Sequence, residues 1–269
     1  MQYPKGLKVK VALIGNGSIA KIVTQFCAEQ RDRYNVVGAL GLSKDKASVG
    51  PHAVVYTFEE FLAFAPDLVV ECAGHSAVAA YAVPLIERGI DQIIVSTGSL
   101  ADVDLFNAIQ AAMRKTQAKV KLPAGALPGI DALSSAKLAG LTRVTLRSAK
   151  PPEAWKGTPA EGLHNLQAIR APLVIFSGSA REAAMMYPKN ANVAATAALA
   201  GIGFQGTKVE LIADPRLACN THHIEAAGKF GSMALTINAN PSPYNPKTSH
   251  IAALSIMRLL ENETSGIII

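Results

Sequence analysis

The chain is poor in the residues that mark disulfide-rich and zinc-binding proteins. Its 269 residues include only three cysteines, Cys27, Cys72 and Cys219, which form no CxxC pair. An odd number of widely spaced cysteines suggests neither a disulfide framework nor a zinc site, and small buried hydrophobic residues are the simpler interpretation. The sequence therefore predicts no bound metal.

Charged residues and long apolar runs are also scarce. Charged side chains make up 17% of the residues and apolar ones 49%, which is typical of an α/β protein with strands buried on both faces. No apolar run approaches the roughly 20 residues that are needed to cross a bilayer. Because Met1–Lys10 also lacks a signal-peptide core, we expect a cytoplasmic protein with no membrane partner.

The positive charge of the chain is modest and dispersed. The formal net charge is +6, and the Lys and Arg residues do not form a basic block. A site for anionic small molecules accounts for this charge as well as nucleic acid binding would. Charge alone leaves both interpretations open.

Residues 1–123 alternate short apolar runs with helical periodicity, the pattern of a parallel sheet covered by helices. The predicted strands are Lys8–Ile14, Asn35–Leu42, Leu68–Glu71, Gln92–Val95 and Lys119–Leu122. The predicted helices between them are Ala20–Glu29, Phe58–Ala63, Ser76–Arg88 and Val103–Thr116. This α/β pattern predicts an N-terminal Rossmann domain with a doubly wound parallel sheet.

The alternation of strands and helices is interrupted by the Gly- and Pro-rich turn over residues 123–129, and we place a domain boundary there. Residues 124–245 are expected to form a second, α+β domain with a mixed or antiparallel sheet. A C-terminal helix over 246–262 is expected to pack back on the first domain. Three prolines in residues 150–159 predict a loop, which is either a lid or a surface connection.

The first predicted strand leads directly into Gly15-Asn16-Gly17-Ser18-Ile19-Ala20, a GxGxxA element that opens a helix. Gly15 permits the tight turn, Gly17 lets the backbone approach a pyrophosphate, and Ala20 allows close packing of helix and strand. Free N–H groups at the helix start, at Ser18 and Ile19, then favour phosphate. The element predicts a dinucleotide site.

The residues at the end of the second strand influence whether a Rossmann domain prefers NAD or NADP. An acidic residue there would bind the ribose 2′-hydroxyl, but the strand runs into Gly41-Leu42-Ser43-Lys44. Ser43 and Lys44 can bind a 2′-phosphate, so we expect NADP to be accepted at least as well as NAD. A solvated loop lysine is an equally good interpretation of Lys44.

Small polar residues also follow the third and fourth strands. Cys72, Ala73 and His75 follow one strand and Ser96–Ser99 the other, and ligands bind at the carboxyl ends of parallel strands. We expect these loops to flank the nicotinamide and its ribose. His75 is a candidate functional residue, although a histidine just before a helix is more often a cap or rim residue.

Two dense polar elements lie in the second domain, at residues 188–194 and 220–225. Strand alternation puts His222 and His223 on opposite faces, so only one of them can serve the catalytic side. The pattern alone favours a structural histidine over a base.

At this point the chain resembles the L-aspartate dehydrogenase family over nearly its full length. The matching segments are residues 15–20, 71–75, 96–100, 125–126, 129–133, 176–183, 188–194, 214–215, 220–222, 228–231 and 245–249. The resemblance implies NAD- or NADP-dependent oxidative deamination of L-aspartate to iminoaspartate, which hydrolyses to oxaloacetate and ammonia. It also implies a role in pyridine nucleotide biosynthesis, a homodimer formed through the second domain, and no nucleic acid partner.

The resemblance also assigns roles to individual residues. The catalytic histidine falls on His222, and cofactor contacts fall on Ala126 and Asn192, with Asn190 as an alternative to Asn192. An ordinary pKa near 6.5 would leave much of His222 neutral and able to accept a proton.

The two carboxylates of the substrate need cations or N–H donors. We expect these from Lys247, Thr248 and Ser249, with Arg181 as a second candidate. Two rival functions are a reductase of a related amino-acid pathway and a non-catalytic dinucleotide sensor.

Overall fold

The computed structural model describes residues 8–43, 50–243 and 245–268, and only the backbone of residues 189, 191 and 245–248. The chain divides into two compact units. Unit 1 comprises residues 1–123 and 253–269, and unit 2 comprises residues 124–252. The prediction of an α/β fold with a Rossmann sheet and a second, mixed sheet is confirmed.

Unit 1 contains a six-stranded sheet in the order β3-β2-β1-β4-β5-β6, and every pair in it is parallel. This is the doubly wound order of dinucleotide-binding domains. The elements are β1 (Val9–Ile14), α1 (Ser18–Glu29), β2 (Tyr34–Leu40), β3 (Val54–Val55), α2 (Phe58–Leu62), β4 (Leu68–Glu71), α3 (His75–Ile86), β5 (Asp91–Ile94), α4 (Val103–Met113) and β6 (Val120–Lys121).

Apolar side chains on both faces of β1 explain why this sheet is covered on two sides. Val9, Val11 and Leu13 belong to one buried cluster, whereas Ala12 and Ile14 belong to another. A strand that is apolar at successive positions cannot leave either face in water. β1 therefore lies inside the sheet, between β2 and β4, and the loop at its carboxyl end starts from a buried strand.

Unit 2 contains a five-stranded mixed sheet in the order β11-β10-β7-β9-β8. Only β7 and β9 are parallel, and the other pairs are antiparallel. Helices α5, α7 and α9 contact this sheet. The elements are α5 (Ile130–Ala139), β7 (Leu141–Lys150), α6 (Pro159–Leu163), β8 (Leu173–Ser179), α7 (Ala180–Met186), α8 (Ala191–Ala200), α9 (Gly203–Gly206), β9 (Lys208–Ala213), β10 (Asn220–Gly228), β11 (Gly231–Ala239), β12 (Pro241–Ser242) and β13 (Asn245–Ser249).

The last helix, α10 (His250–Thr264), begins later than the predicted residue 246. Residues 245–249 instead form β13, which pairs with β12 in a small antiparallel sheet. Pro246 explains the difference, because the residue before a proline is disfavoured in a helix and proline itself lacks an N–H. The carboxyl-terminal part of α10 packs in the core of unit 1 through Ile256 and Leu260.

The proline-rich segment at residues 150–159 is more ordered than the predicted loop. Residues 152–155 form a 3-10 helix, and Pro159 occupies the first turn of α6. Proline is favoured at the start of a helix, where its missing N–H has no partner to lose. Trp155 is completely buried and donates from Nε1 to the Ile212 carbonyl at 3.1 Å, which anchors the segment.

Candidate active site

The carboxyl ends of β1 and β4 meet where the strand order of unit 1 reverses. An added Cβ on Gly15 would lie 3.0 Å from the Cβ of Ala73, so the turns after these two strands touch. Cys72 reinforces the contact, since its N–H donates to the Ile14 carbonyl at 2.9 Å. Open α/β sheets bind ligands at this switch point.

The turn after β1 fits a phosphate group. Gly15 has a φ of +104°, a conformation that side-chain-bearing residues rarely adopt. A Cβ added to Gly17 would meet nothing within 4 Å, so the backbone there borders open space. Helix α1 starts at Ser18 and has no acidic residue in its first turn. Its unpaired N–H groups and partial positive charge favour an anion in that space.

Glu71 ties together the loops after β4 and β5, a role that the sequence did not reveal. Its carboxylate is 2% exposed and accepts from the N–H groups of Ala73 and Gly74, both at 2.8 Å. It also accepts from the N–H and the hydroxyl of Ser96, both at 2.9 Å. Four hydrogen bonds compensate for burying this carboxylate and fix the loop on which Cys72 and Ala73 lie.

The remaining predicted dinucleotide residues have varied surroundings. Ile19 is partly buried and packs against the core of unit 1. His75 is half-buried and begins α3 after Gly74, whose φ is +126°. Ser43 is half-buried beyond the end of β2, and residues 41–43 contain no acidic side chain. Lys44 lies outside the described residues.

In unit 2, His222 and Ser148 lie side by side on neighbouring strands. They are paired in the antiparallel register of β10 and β7, and Nδ1 of His222 lies 3.0 Å from Oγ of Ser148. Both are buried, with 2% and 0% of their surface exposed. This pairing fixes the orientation of the imidazole ring.

Burial is the main cause that lowers the pKa of His222 to about 3, and the charge of Lys150 is the second. Burial has this effect because the charged form of the ring loses its hydration. The ordinary pKa near 6.5 that the sequence suggested is therefore wrong for the folded chain. His222 is neutral at physiological pH, and its ring can accept a proton.

Lys150 stands at the end of β7, two residues beyond Ser148. Its Nζ donates to Oδ1 of Asn190 and lies 5.3 Å from the centre of the Trp155 ring. Burial lowers its pKa to about 8. The sequence placed Lys150 at the start of a proline-rich loop, and only the alternation of β7 puts it on the same side as Ser148.

His223 has different surroundings, as strand alternation requires. Its Nδ1 lies 2.7 Å from Oγ1 of Thr236, and its Nε2 lies 2.9 Å from Oε1 of Glu225. Glu225 also accepts from Arg147 at 2.8 Å, and Arg147 pairs in turn with Glu210. His223 is therefore part of a half-exposed ion-pair network that does not include His222.

Other predicted residues of unit 2 take several positions. Ala126 is buried next to Gly125, whose φ is +65°. Asn192 lies exposed in the first turn of α8, and Asn190 precedes that helix. Arg181 stacks its guanidinium 5.2 Å from the centre of the Phe204 ring, which favours a packing role.

The predicted carboxylate ligands lie on β13. The backbone of Lys247 and Thr248 belongs to this strand, and their side chains lie outside the described residues. Ser249 is 5% exposed, and its Oγ accepts from Nδ2 of Asn220 at 3.4 Å. These residues were expected to open the last helix, but they precede its first residue, His250.

Within the described ranges, no group of three His, Cys, Asp or Glu side chains is arranged to hold a metal ion. None of the helices described here is long and apolar enough to cross a membrane.

A 3-2-1-4-5-6 parallel sheet with a glycine turn at its switch point, joined to a mixed-sheet unit with a buried neutral histidine, defines a Rossmann-type NAD(P)-dependent oxidoreductase. Residues 15–123 match the homoserine dehydrogenase NAD-binding domain, and residues 131–263 match the aspartate dehydrogenase C-terminal domain. The chain is 42% identical to an L-aspartate dehydrogenase from Ralstonia nicotianae, over 96% of this chain and 98% of that protein. The chain belongs to the L-aspartate dehydrogenase family.

Two further comparisons agree with this assignment. An L-aspartate dehydrogenase from Cupriavidus necator is 47% identical over 75% of this chain and 76% of its own length. The crystal structure of aspartate dehydrogenase from Thermotoga maritima superposes with a TM-score of 0.78 at 26% identity, and covers 98% of this chain and 100% of that one. The likeness therefore extends over both units, each of which has its counterpart in that structure.

Proposed function

We propose that this chain is an NAD(P)-dependent L-aspartate dehydrogenase. It oxidises L-aspartate to iminoaspartate, which hydrolyses to oxaloacetate and ammonia, and the reaction is reversible. The observation that carries the proposal is the buried pair of His222 and Ser148, in a chain 42% identical over 96% of its length to an L-aspartate dehydrogenase.

The residues of unit 1 hold the dinucleotide. The backbone of Gly15, Gly17 and Ser18 receives the pyrophosphate, and the loops carrying Cys72, Ala73 and His75 receive the nicotinamide and its ribose. When bound, the oxidised dinucleotide supplies the acceptor for the hydride that leaves C2 of the substrate. Ala126 and Asn192 of unit 2 make further contacts to the cofactor in this proposal, and the family resemblance alone supports those two assignments.

His222 is the proton acceptor. As the C2–H bond breaks and the C2–N bond becomes a double bond, the substrate nitrogen must have lost its proton. For Nε2 to accept that proton, the ring must carry its own proton on Nδ1, where Oγ of Ser148 lies at 3.0 Å to accept it. After the ring has released that proton to solvent, the same Nε2 can take a proton from the water that attacks the imine, and the carbon–nitrogen bond breaks as the nitrogen is protonated and leaves as ammonia.

The low pKa of His222 suits a neutral acceptor but makes it a weak base in the free chain. A dianionic substrate beside the ring would raise that pKa, because an opposite charge favours the imidazolium. Substrate binding and proton acceptance are thereby coupled. Lys247, Thr248 and Ser249 are the proposed ligands of the substrate carboxylates.

NADP is proposed to serve at least as well as NAD. The basis is the absence of an acidic side chain at residues 41–43, beyond the end of β2, together with the neighbouring Ser43 and Lys44. We also propose a cytoplasmic homodimer that assembles through unit 2, which sedimentation of the purified protein would test.

The first experiment mixes the purified protein with L-aspartate and either NAD or NADP at alkaline pH, and follows the absorbance of the reduced nicotinamide. L-glutamate and L-alanine serve as matched controls, and oxaloacetate with ammonia and the reduced cofactor gives the reverse reaction. We expect turnover with aspartate only, and a direct measure of coenzyme preference from the two KM values.

Absence of turnover in both directions, with demonstrable binding of the reduced cofactor, would contradict the proposal. That outcome would favour a different amino-acid substrate or a non-catalytic sensor.

A further inference from the structure

Lys150 is a partly buried cation that forms no ion pair with the described residues. None of the ion pairs among the described residues includes it, although Lys121, Lys156 and Lys208 all pair with carboxylates. Asp214, whose backbone N–H donates to the Lys150 carbonyl, has its carboxylate engaged by Arg216 at 2.9 and 3.0 Å. Lys150 is thus a lysine whose charge nothing in its described surroundings neutralises.

The groups that hold Lys150 are neutral. Oδ1 of Asn190 accepts one of its three protons, and the Trp155 ring faces the ammonium at 5.3 Å. Trp155 is fixed by its hydrogen bond to Ile212 and by an edge-on contact with Tyr187, with 6.1 Å between ring centres. The amide and the ring orient the ammonium and leave its charge uncompensated.

Partial burial of an ammonium without a counter-ion carries a cost, because part of its hydration is lost and only neutral groups replace it. This loss of hydration disfavours the charged form and lowers the pKa of Lys150 to about 8. Titratable groups with strongly shifted pKa values cluster at functional sites. Lys150 lies two residues beyond Ser148 on β7, and so on the same face of the strand as the hydroxyl that contacts the His222 ring.

We propose that the ammonium of Lys150 binds a carboxylate of the substrate, and so makes the site selective for a 2-amino dicarboxylic acid. This inference rests on the proposed function and adds to it a residue that directly contacts the substrate. It supplies a cation for one of the two substrate carboxylates, beside the residues of β13. It also explains why Asn190, which precedes α8, is turned to Lys150.

The test compares Lys150→Met, which removes the charge, with Lys150→Arg, which keeps it. We expect Lys150→Met to raise the KM for L-aspartate about 10- to 100-fold, the usual effect of losing a charge-assisted hydrogen bond. Lys150→Arg should restore part of that loss. The affinity for NADPH, measured by its fluorescence, should change less than about twofold in both variants, since the ammonium contacts the substrate.

Succinate provides a readout that does not depend on turnover. This dicarboxylate has no amine to oxidise, and its binding is measured by calorimetry in the presence of NADPH. We expect the wild type to bind succinate and Lys150→Met to bind it at least tenfold more weakly. Lys208→Met is the matched control: Lys208 lies on β9 of the same sheet, with its side chain 54% exposed and paired with Glu210, and its loss should leave succinate affinity unchanged.

Lys150→Gln replaces Lys150→Met if the latter does not fold, as judged by its Tm and NADPH binding. An unchanged KM and succinate affinity in a folded variant would overturn the inference. A fall in kcat alone, without rescue by arginine, would overturn it too, because that pattern belongs to a proton-transfer group. If the wild type binds succinate through Lys150 but never oxidises aspartate, the proposed function fails and the anion site stands.

Discussion

The two units build their candidate sites in different ways. In unit 1 the groups proposed to face a ligand are backbone: the turn at Gly15 and Gly17, the start of α1, and loops tied by the Glu71 carboxylate. In unit 2 they are side chains from separate strands and loops: Ser148 and Lys150 on β7, His222 on β10, and Asn190 before α8. One site depends on chain conformation and the other on chemical identity.

This difference teaches where each unit tolerates change. A backbone site loses function when a side chain is added, because it fills the space reserved for the ligand. A side-chain site loses function when atoms are removed, while the sheet that supports it remains. Unit 1 should therefore be sensitive to enlarging substitutions and unit 2 to truncating ones.

The largest expected effect is in unit 2. His222→Ala should lower kcat by about 10²- to 10⁴-fold, the range for loss of a general base. NADPH binding should persist, because the residues proposed to bind the dinucleotide phosphates lie in unit 1. Steady-state kinetics and a fluorescence titration measure the two quantities. Near-normal kcat in the variant would refute the role of His222, and His223→Ala is the control from the opposite face of β10.

Gly17→Val tests the backbone site. The φ of Gly17 is −91° and its ψ is −164°, a conformation open to valine, so the variant should fold. The added side chain should weaken NADPH binding by roughly 10- to 100-fold, about the cost of overpacking a tight contact. A fluorescence titration measures the affinity.

Gly162→Val is the matched control for Gly17→Val. A Cβ at Gly162, on α6 of unit 2, would also meet nothing within 4 Å. Equal NADPH affinity in Gly17→Val and the wild type would show that the phosphates bind elsewhere.

Ser148→Ala should have a smaller effect, on kcat more than on KM. Loss of the hydroxyl leaves Nδ1 of His222 without its partner, and we expect a fall in kcat of about tenfold, equivalent to roughly 1.4 kcal/mol. Ser232→Ala, at an exposed position on β11 of the same sheet, is the control. If Ser148→Ala changes only thermal stability, the hydroxyl does not position the ring for catalysis.

The last prediction concerns acid stability, and it leaves activity at neutral pH aside. His222 has a lower pKa in the folded chain, about 3, than the ordinary histidine value of 6.5. Below pH 6.5 the unfolded chain therefore binds a proton at His222 that the folded chain does not bind. The free energy of unfolding decreases as the pH is lowered from 6.5 to about 3. Lys150, with a pKa of about 8, is protonated in both states across this window and adds no slope.

The matched substitution is His222→Asn, which keeps a polar atom near Ser148. It should reduce the slope of unfolding free energy against pH by up to about 1.4 kcal/mol per pH unit in that window. Urea unfolding at several pH values between 4 and 6.5 measures the slope. Parallel curves for variant and wild type would mean that His222 titrates normally in the folded chain.

Part of the secondary structure was predictable from sequence. The predicted ends of β4, Leu68 and Glu71, coincide with those in the structure, because a short apolar run marks this strand locally. The two-residue strand β3 and the β12–β13 pair were missed, since strands this short carry no periodic signal. The late start of α10 had a local signal in Pro246 that the apolar pattern outweighed.

The candidate site residues also differ in whether neighbours in the sequence reveal them. The turn at Gly15 and Gly17 was readable because its function depends on neighbours in sequence. Glu71 was visible at the end of β4, but nothing in the sequence shows that its carboxylate reaches Ser96, 25 residues away. Lys150 looked like part of a loop because its hydrogen-bond partner Asn190 is 40 residues away in the chain.

By itself, the sequence determined the doubly wound sheet, the phosphate turn after β1 and the identity of the catalytic candidate, because local pattern and chain order carry each of them. The tertiary structure alone decided the chemistry around His222. The register of β10 against β7 sets Ser148 beside the ring, and burial keeps the ring neutral. Lys150 lies at the end of β7 and forms no ion pair with the described residues. Register, burial and charge balance are properties of strands brought together in space, and a linear pattern does not contain them.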